Sequence, residues 1–145
     1  MLCTLRVTAP APELAHVWVR RQQFAVGRPI EFDAESDRIA ALEYALGAVA
    51  GEVVNGLRVF ASRRRLDIDH VEAVVTAELA CEGVYLEVVG ETGQPRIVRV
   101  HLKVFAASPD EPELRRLWSE LPDKLPLVCT MRSAFSIDLE LVTTS

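Results

Sequence analysis

Several ingredients whose presence would decide the chemistry of this chain are scarce. There are three cysteines in 145 residues, Cys3, Cys81 and Cys129. Odd in number and widely spaced, they form no Cys-x-x-Cys and no metal-ligand pattern, so neither a disulfide framework nor a zinc site is expected. The simplest reading is reduced thiols in a cytoplasmic protein. His16, His70 and His101 are equally scattered, and no metal or cofactor is expected. Positive charge is in deficit, with a formal net charge of −5, which argues against a nucleic-acid partner because phosphate needs a basic face. The one basic run, Arg63–Arg65, reads as the solvated end of a helix, where cations complement the helix dipole. Aromatic residues make up only 6%, and Trp18 and Trp118 read as core or interface anchors rather than platforms for bases. A long uncharged apolar run is missing too. The most apolar stretch, Ile39–Val54, carries Glu43 and Glu52, so no membrane span is expected. The start, "MLCTLRVTAPAPELAH", lacks the basic opening and apolar stretch of a signal peptide.

What is present is the composition of a globular domain. Half the residues are hydrophobic and 26% are charged, in a length that suits one domain over residues 1–145. "LAHVWVR" (Leu14–Arg20) and "PIEFD" (Pro29–Asp33) read as strands, with "VGRP" as the turn between them. A long helix follows, capped at Ser36 or Asp37 and closing in the arginines. Ile39, Leu42, Leu46, Val49, Val53, Leu57 and Phe60 recur at spacings of three and four, and alanines fill most other sides. A helix apolar on nearly every face is a central one, covered by a sheet on one side and by something else on the other. In so short a chain that cover is often a second copy. Gly47, Gly51 and Gly56 agree, since each costs about 1 kcal/mol relative to Ala unless something approaches closely.

Beyond the helix the period changes to two. Val71, Ala73, Val75, Ala77 and Leu79 share one face, as do Val98, Val100, Leu102, Val104 and Ala106, with Arg99, His101 and Lys103 opposite. These read as antiparallel, half-buried strands, with a turn at Gly93–Pro95 between them. In "SPDEPELRRLWSEL", Ser108 is the expected cap, Pro109 the first helical residue and Glu111 the capping-box partner. "AFSIDLELV" alternates as a last strand, with Phe135, Ile137, Leu139 and Leu141 inward. The order defines an α+β fold.

The stretch "RIAALEYALGAVAGEVVNGLRVFASRRRLDIDHVEAVV" resembles the central helix and following strand of the OsmC/Ohr family, the osmotically induced and organic-hydroperoxide-resistance proteins. "FAVGRPIEFDAE" upstream and "LPLVCTMRSAFSIDLEL" downstream fit in order, so the resemblance spans roughly Phe24 to Leu141. It implies antiparallel sheets around a long buried central helix in an intertwined homodimer, with two sites at the dimer interface. It also implies a pair of cysteines that reduce organic hydroperoxides, one on the central helix and one opening a Cys-Pro-hydrophobic segment. That chemistry needs sulfur at both places, because only a thiolate gives a sulfenic acid that a second thiol can capture. At the matching positions this chain has Glu52, after "AVAG", and Leu125, before Pro126 and Leu127. No register supplies a helical thiol, since no cysteine occurs between Cys3 and Cys81.

The candidate pocket is therefore Glu52, Leu125, Cys129 and Glu43. Glu52 is either an ion-paired or rim residue, or it lines the remodelled pocket as an acid, a ligand anchor or a general base. Cys129, four positions after Leu125, shares its face if the segment is helical; the plainer reading is a packed small hydrophobe, as for Cys3 and Cys81 on strand-like stretches. Glu43 lies nine residues before Glu52, on the opposite side of a regular helix, which favours a capping or surface role. Arg20, Arg21 and Arg28 lie where the family's arginine partners lie, with no basis for choosing among them. Two function classes follow. The preferred one is a homodimer without peroxidase chemistry, binding a small molecule at its interface or serving a structural role. The alternative is an enzyme, either a thiol-dependent hydroperoxide reductase using Cys129 or an acid/base catalyst using Glu52.

Overall fold

The computed structural model describes residues 1–144. It is α+β, with two three-stranded sheets and one long helix. The chain divides into two compact units, Met1–Gly47 and the remainder from Ala48 on.

The first unit is an antiparallel meander of β1 (Arg6–Ala11), β2 (Leu14–Val19) and β3 (Gln22–Val26), in that spatial order. Pro10 donates no hydrogen bond, and β1 accommodates it as an edge strand whose register breaks between Thr8 and Ala11. The expected strand at Leu14–Arg20 is present as β2. The one expected at Pro29–Asp33 is not; its place is taken by β3, reached through a tight turn at Arg20–Arg21 with Arg20 at φ 55°. Such turns normally advertise themselves with Gly or Asn, and here two arginines hide the signal. Pro29–Asp33 has other work for its backbone. The carbonyls of Arg28 and Pro29 accept the N–H groups of Ala41 (3.0 Å) and Leu42 (3.1 Å), the first donors of the long helix. The Glu31 carboxylate accepts the amides of Asp33 and Phe32, both at 3.0 Å; the Asp33 bond, and next the Ser36 hydroxyl, hold its pKa below the usual carboxylate range. At the neck of this loop Gly27 donates to the Ile39 carbonyl at 2.8 Å, and a side chain there would meet the Arg38 Cβ at 3.0 Å.

The long helix α1 covers Ala41–Arg63. It starts later than Ser36 or Asp37, because Ser36 turns its hydroxyl to the Arg38 amide (3.3 Å) instead. The Glu43 carboxylate reaches back to the Ala40 amide at 2.7 Å. That is half of a capping box on an alanine cap, so the capping role expected of Glu43 is the one it has.

In the second unit α1 buries Val49, Val53, Leu57 and Ala61, one stripe at a spacing of four. They pack with Leu102, Val104 and Ala106 of the sheet and with Leu114, Leu117, Leu121, Leu125 and Val128 from the helices that follow it. The sheet is β4 (Val71–Ala80), β5 (Arg96–Ala106) and β6 (Ser136–Thr143), with β5 central. Its inner face follows the alternation expected: Val71 opposes Ala106, Ala73 opposes Val104, and Leu102 opposes Leu139. The outer face carries ion pairs across the strands, Arg99 to Asp138 (3.5 Å), His101 to Glu140 (3.1 Å) and Lys103 to Glu140 (3.3 Å). One correction concerns direction. β4 and β5 are antiparallel, but β5 and β6 are parallel, so the sheet is mixed. The reason is the connection: a helical crossover returns the chain to the end of the sheet where β5 began.

That crossover comprises α3 (Glu111–Glu120), a 3-10 turn (Leu121–Lys124) and α4 (Pro126–Met131); a four-residue α2 (Glu82–Tyr85) lies between β4 and β5. Asp110, not Ser108, caps α3, accepting from the Glu113 amide at 3.1 Å, and Pro112 rather than Pro109 occupies its first turn. Ser108 is drawn off by the Asp67 carbonyl, to which it donates at 2.7 Å. Cys81 is not on a strand either: it sits after β4 in the left-handed region at φ 59°.

The end of α1 is clasped to α3 by Arg64, which pairs with Glu113 (3.3 Å) and Glu120, while Lys124 joins Glu120 at 3.0 Å. The Arg64 guanidinium, and then Lys124, hold the Glu120 carboxyl down to about 2, against an ordinary value of 4.5. A carboxyl depressed in the folded state stabilises fully above its unfolded value and loses that contribution as pH falls towards the folded one. The urea midpoint is therefore expected to drop as pH falls from 4.5 to about 2. Glu120→Gln should flatten that part of the profile; an unchanged profile in this variant would show that the clasp does not contribute.

Candidate functional site

Glu52 lies on α1 beside the buried stripe, between the buried Val53 and the partly buried Gly51. Its carboxylate is neither ion-paired nor free. One oxygen accepts the Leu127 amide and the other the Val128 amide, each at 2.8 Å. These are the second and third residues of α4, whose cap position is Leu125. Leucine has no acceptor to offer, and no side chain of the local sequence caps this helix. Pro126, at the first position, has no N–H. The donors that a Ser or Asp cap would normally satisfy are thus met by a carboxylate from a helix more than seventy residues away in sequence. A negative group at a helix N-terminus is also electrostatically favoured.

One turn further along α1, Gly56 completes the grip. A Cβ built on Gly56 would lie 2.5 Å from Leu125 Cδ2, so the missing side chain is the hollow that seats Leu125, which is 3% exposed. Residues 52 and 56 face the same way on a helix. One holds the α4 backbone by hydrogen bonds and the other receives the side chain just before it. The close approach expected at Gly56 is made by a leucine side chain. Around Gly47 and Gly51, among the described residues, nothing beyond the helix's own nearby backbone lies within 4 Å of an added Cβ.

Of the four candidate residues, the structure brings together Glu52 and Leu125 and leaves the others out. Cys129 is on α4 as expected, its amide bonded to the Leu125 carbonyl at 2.8 Å. Its thiol, however, donates to the Pro122 carbonyl at 3.3 Å, towards the 3-10 turn rather than towards Glu52. Beside it, Arg132 pairs with Asp123 at 2.8 Å; that bond, and next the neighbouring Cys129, raise the guanidinium above its ordinary range. Glu43 is engaged with Ala40, as above. Arg28 pairs with Glu13 (3.0 Å) and approaches Glu31 (3.9 Å), whereas Arg20 and Arg21 form the β2–β3 turn. His16 stacks edge-on with Trp18, their ring centres 5.7 Å apart. Among the described residues no cluster of three or more His, Cys, Asp or Glu could hold a metal.

Sequence reasoning missed the partners of Glu52. The signal was there: a Leu-Pro helix start without a capping side chain requires an acceptor from elsewhere. Two open clefts of the second unit do not have Glu52 in their lining. One of about 470 Å³ is lined by Asp67, Asp69, Ala107, Ser108, Pro109 and Thr144, and another of about 290 Å³ includes Arg58, Ser62 and Arg65.

No family sequence model matches this chain, and no curated protein matches it. Solved structures do. An OsmC-like protein from Mycoplasma pneumoniae superposes with a TM-score of 0.81 at 13% identity, covering 100% of this chain and 99% of that one. The organic hydroperoxide resistance protein OhrB of Bacillus subtilis gives 0.63 at 17% identity, over 96% and 98%. An organic hydroperoxide resistance protein from Elizabethkingia anophelis, with thiocyanate bound, gives 0.73 at 14%, over 99% of each chain. The chain has the OsmC-like fold.

Two predictions test the grip. Glu52→Gln keeps the volume but presents one NH₂ to an amide donor, and should lower unfolding stability by about 1.5–3 kcal/mol in urea titrations. Gly56→Ala should destabilise the native chain by overpacking against Leu125, yet stabilise a Leu125→Ala background, where helix propensity alone acts. The same sign in both backgrounds would disprove the seat.

Proposed function

We propose that this protein is a divergent OsmC/Ohr homodimer without peroxidase chemistry, a small-molecule binding or structural protein in which Glu52 stands where its relatives carry the peroxide-attacking thiol. The observation that carries the reading is the engagement of both Glu52 oxygens by α4 amides. A carboxylate cannot enter a thiol–disulfide cycle, and each of its oxygens is engaged by a backbone amide. Leu125, where the resolving cysteine would be, is packed into Gly56. The candidate thiol that remains nearby, Cys129, is turned to a backbone carbonyl.

Two features support the homodimer. In the sheet β1–β3, Val17 is the one buried strand residue, while Val7 and Phe24 stay exposed, so this three-stranded sheet lacks the apolar cover such sheets need. The α1 surface around Gly47 and Gly51 is likewise open in the single chain. The site of a ligand would be the interface the two copies create.

Purified protein given tert-butyl hydroperoxide and a dithiol reductant should show no turnover, with or without Cys129→Ala. Turnover abolished by that substitution would overturn this reading in favour of a one-cysteine peroxidase. Sedimentation velocity should give twice the chain mass of 16.1 kDa.

A further inference from the structure

Successive residues of a strand face opposite sides of their sheet, and the register of β1–β3 sorts its side chains into two unlike faces. Val7, Val17 and Phe24 share one row, and Tyr44 of α1 packs on Phe24 with ring centres 5.0 Å apart. This is the apolar face, the one that the start of the helix already lies against. On the other face Arg6, Trp18 and Gln23 form one row, and Thr8, His16 and Ala25 the next. Trp18, expected as a core or interface anchor, is only partly buried here, among polar neighbours. The Arg6 guanidinium lies 4.8 Å from its ring centre, and the His16 ring meets it edge-on at 5.7 Å. A cleft of about 220 Å³ opens beside this row, lined by His16, Gln23, Phe24 and Ala25.

Charge at this end of the sheet is one-sided. Residues 1–30 contain four arginines and a single acid, Glu13. Glu13 stands in the β1–β2 turn at the opposite end, where it pairs with Arg28. Arg20 and Arg21 form the β2–β3 turn, adjoining the row of Arg6 and Trp18. Among the described residues Arg6, Arg20 and Arg21 have no ion-pair partner, whereas Arg64, Arg99 and Arg132 each hold a carboxylate. In a chain of formal net charge −5, three such guanidiniums gathered at one end are out of keeping with the rest of the surface. Thr8 and Gln23, both exposed, add a hydroxyl and an amide that can donate and accept. A flat ring to stack on, hydrogen-bonding groups at its side and unpaired guanidiniums at its end answer to a base face, a base edge and a phosphate.

We infer that the Trp18 face of the β1–β3 sheet binds a nucleotide, its base seated in the cleft beside Trp18 and its phosphates on the guanidiniums of Arg6, Arg20 and Arg21. One aromatic platform with one cleft of this size serves a single base. A chain of net charge −5 disfavours a polyanionic strand, so the ligand is a free nucleotide rather than a nucleic acid. The inference concerns the first unit alone and does not rest on the fate of the peroxide chemistry around Glu52.

The test titrates the full chain with adenosine triphosphate, adenosine, tripolyphosphate and a single-stranded deoxyadenosine dodecamer, read by calorimetry. Trp18 and Trp118 are the two tryptophans, so a Trp118→Phe chain reports on Trp18 alone by fluorescence. Adenosine triphosphate should quench Trp18 saturably. Adenosine and tripolyphosphate should each bind on the order of tenfold more weakly or worse, because each lacks one half of the contacts. Trp18→Ala should weaken adenosine triphosphate on the order of tenfold, and Trp18→Phe, which keeps a ring, by less. Arg20→Gln/Arg21→Gln should weaken the nucleotide and leave adenosine unchanged, and added salt should do the same. Thermal melts close to that of the parent chain establish that the variants fold. If adenosine triphosphate neither quenches Trp18 nor gives heat, the inference fails. Tripolyphosphate as tight as the nucleotide would reduce the site to a patch of guanidiniums. Unchanged affinity in both Trp18 variants would place binding elsewhere, and a dodecamer held more tightly than the nucleotide would make this a nucleic-acid surface; each of these overturns the inference.

Discussion

The carboxylate of Glu52 on the α4 amides is the constraint on which the second unit depends. A partly buried acid on an apolar helix is costly unless its oxygens are satisfied, and a short helix beginning Leu-Pro is costly unless its amides are. Each is the other's remedy. With Gly56 receiving Leu125 one turn on, the pair fixes where α4 starts relative to α1. It also fixes the segment from which β6 leaves to run parallel to β5. The acid that is unexpected for a core helix is, in this fold, a helix cap supplied from a distance.

This bears on chemistry as well as stability. Thiol peroxidase activity places a polarisable thiolate where a peroxide can reach it. Glu52 is a hard oxygen acceptor already engaged by backbone amides. An acid so placed holds a helix. The thiol of Cys129 has its own carbonyl partner.

The polar groups elsewhere show the same economy. Carbonyls of the loop after β3 cap α1, Glu43 caps its first turn from within, and Asp110 caps α3. Among the described residues no buried side-chain nitrogen or oxygen lacks a hydrogen-bond partner. What this chain leaves unfinished is apolar: the exposed aliphatics between β4 and β5 and the thinly covered sheet of the first unit. Both are the kind of surface that association removes from water.

Much of this was legible in the sequence, because period and composition are local properties. The alternation of β4, β5 and β6, the body of α1 with Val49, Val53 and Leu57 in its buried stripe, the capping use of Glu43 and the lack of a helical thiol all follow from residues near one another in the chain. The OsmC-like fold was legible too, from the helix pattern around "LEYALGAVAGEVVNGLR". The errors fell where a distant group competed for a local one. Pro29–Asp33 gave up strand geometry because the α1 amides needed its neighbouring carbonyls. Ser108 lost the cap of α3 to Asp110 because the Asp67 carbonyl took its hydroxyl, and the β2–β3 turn went unseen because Arg20 carries no turn signal. By itself, then, the sequence determined which residues are apolar, which segments alternate, and that the helix holds an acid instead of a thiol. Only the tertiary structure decided what that acid does, because its partners are backbone amides, which every sequence contains and none marks, brought to it by packing.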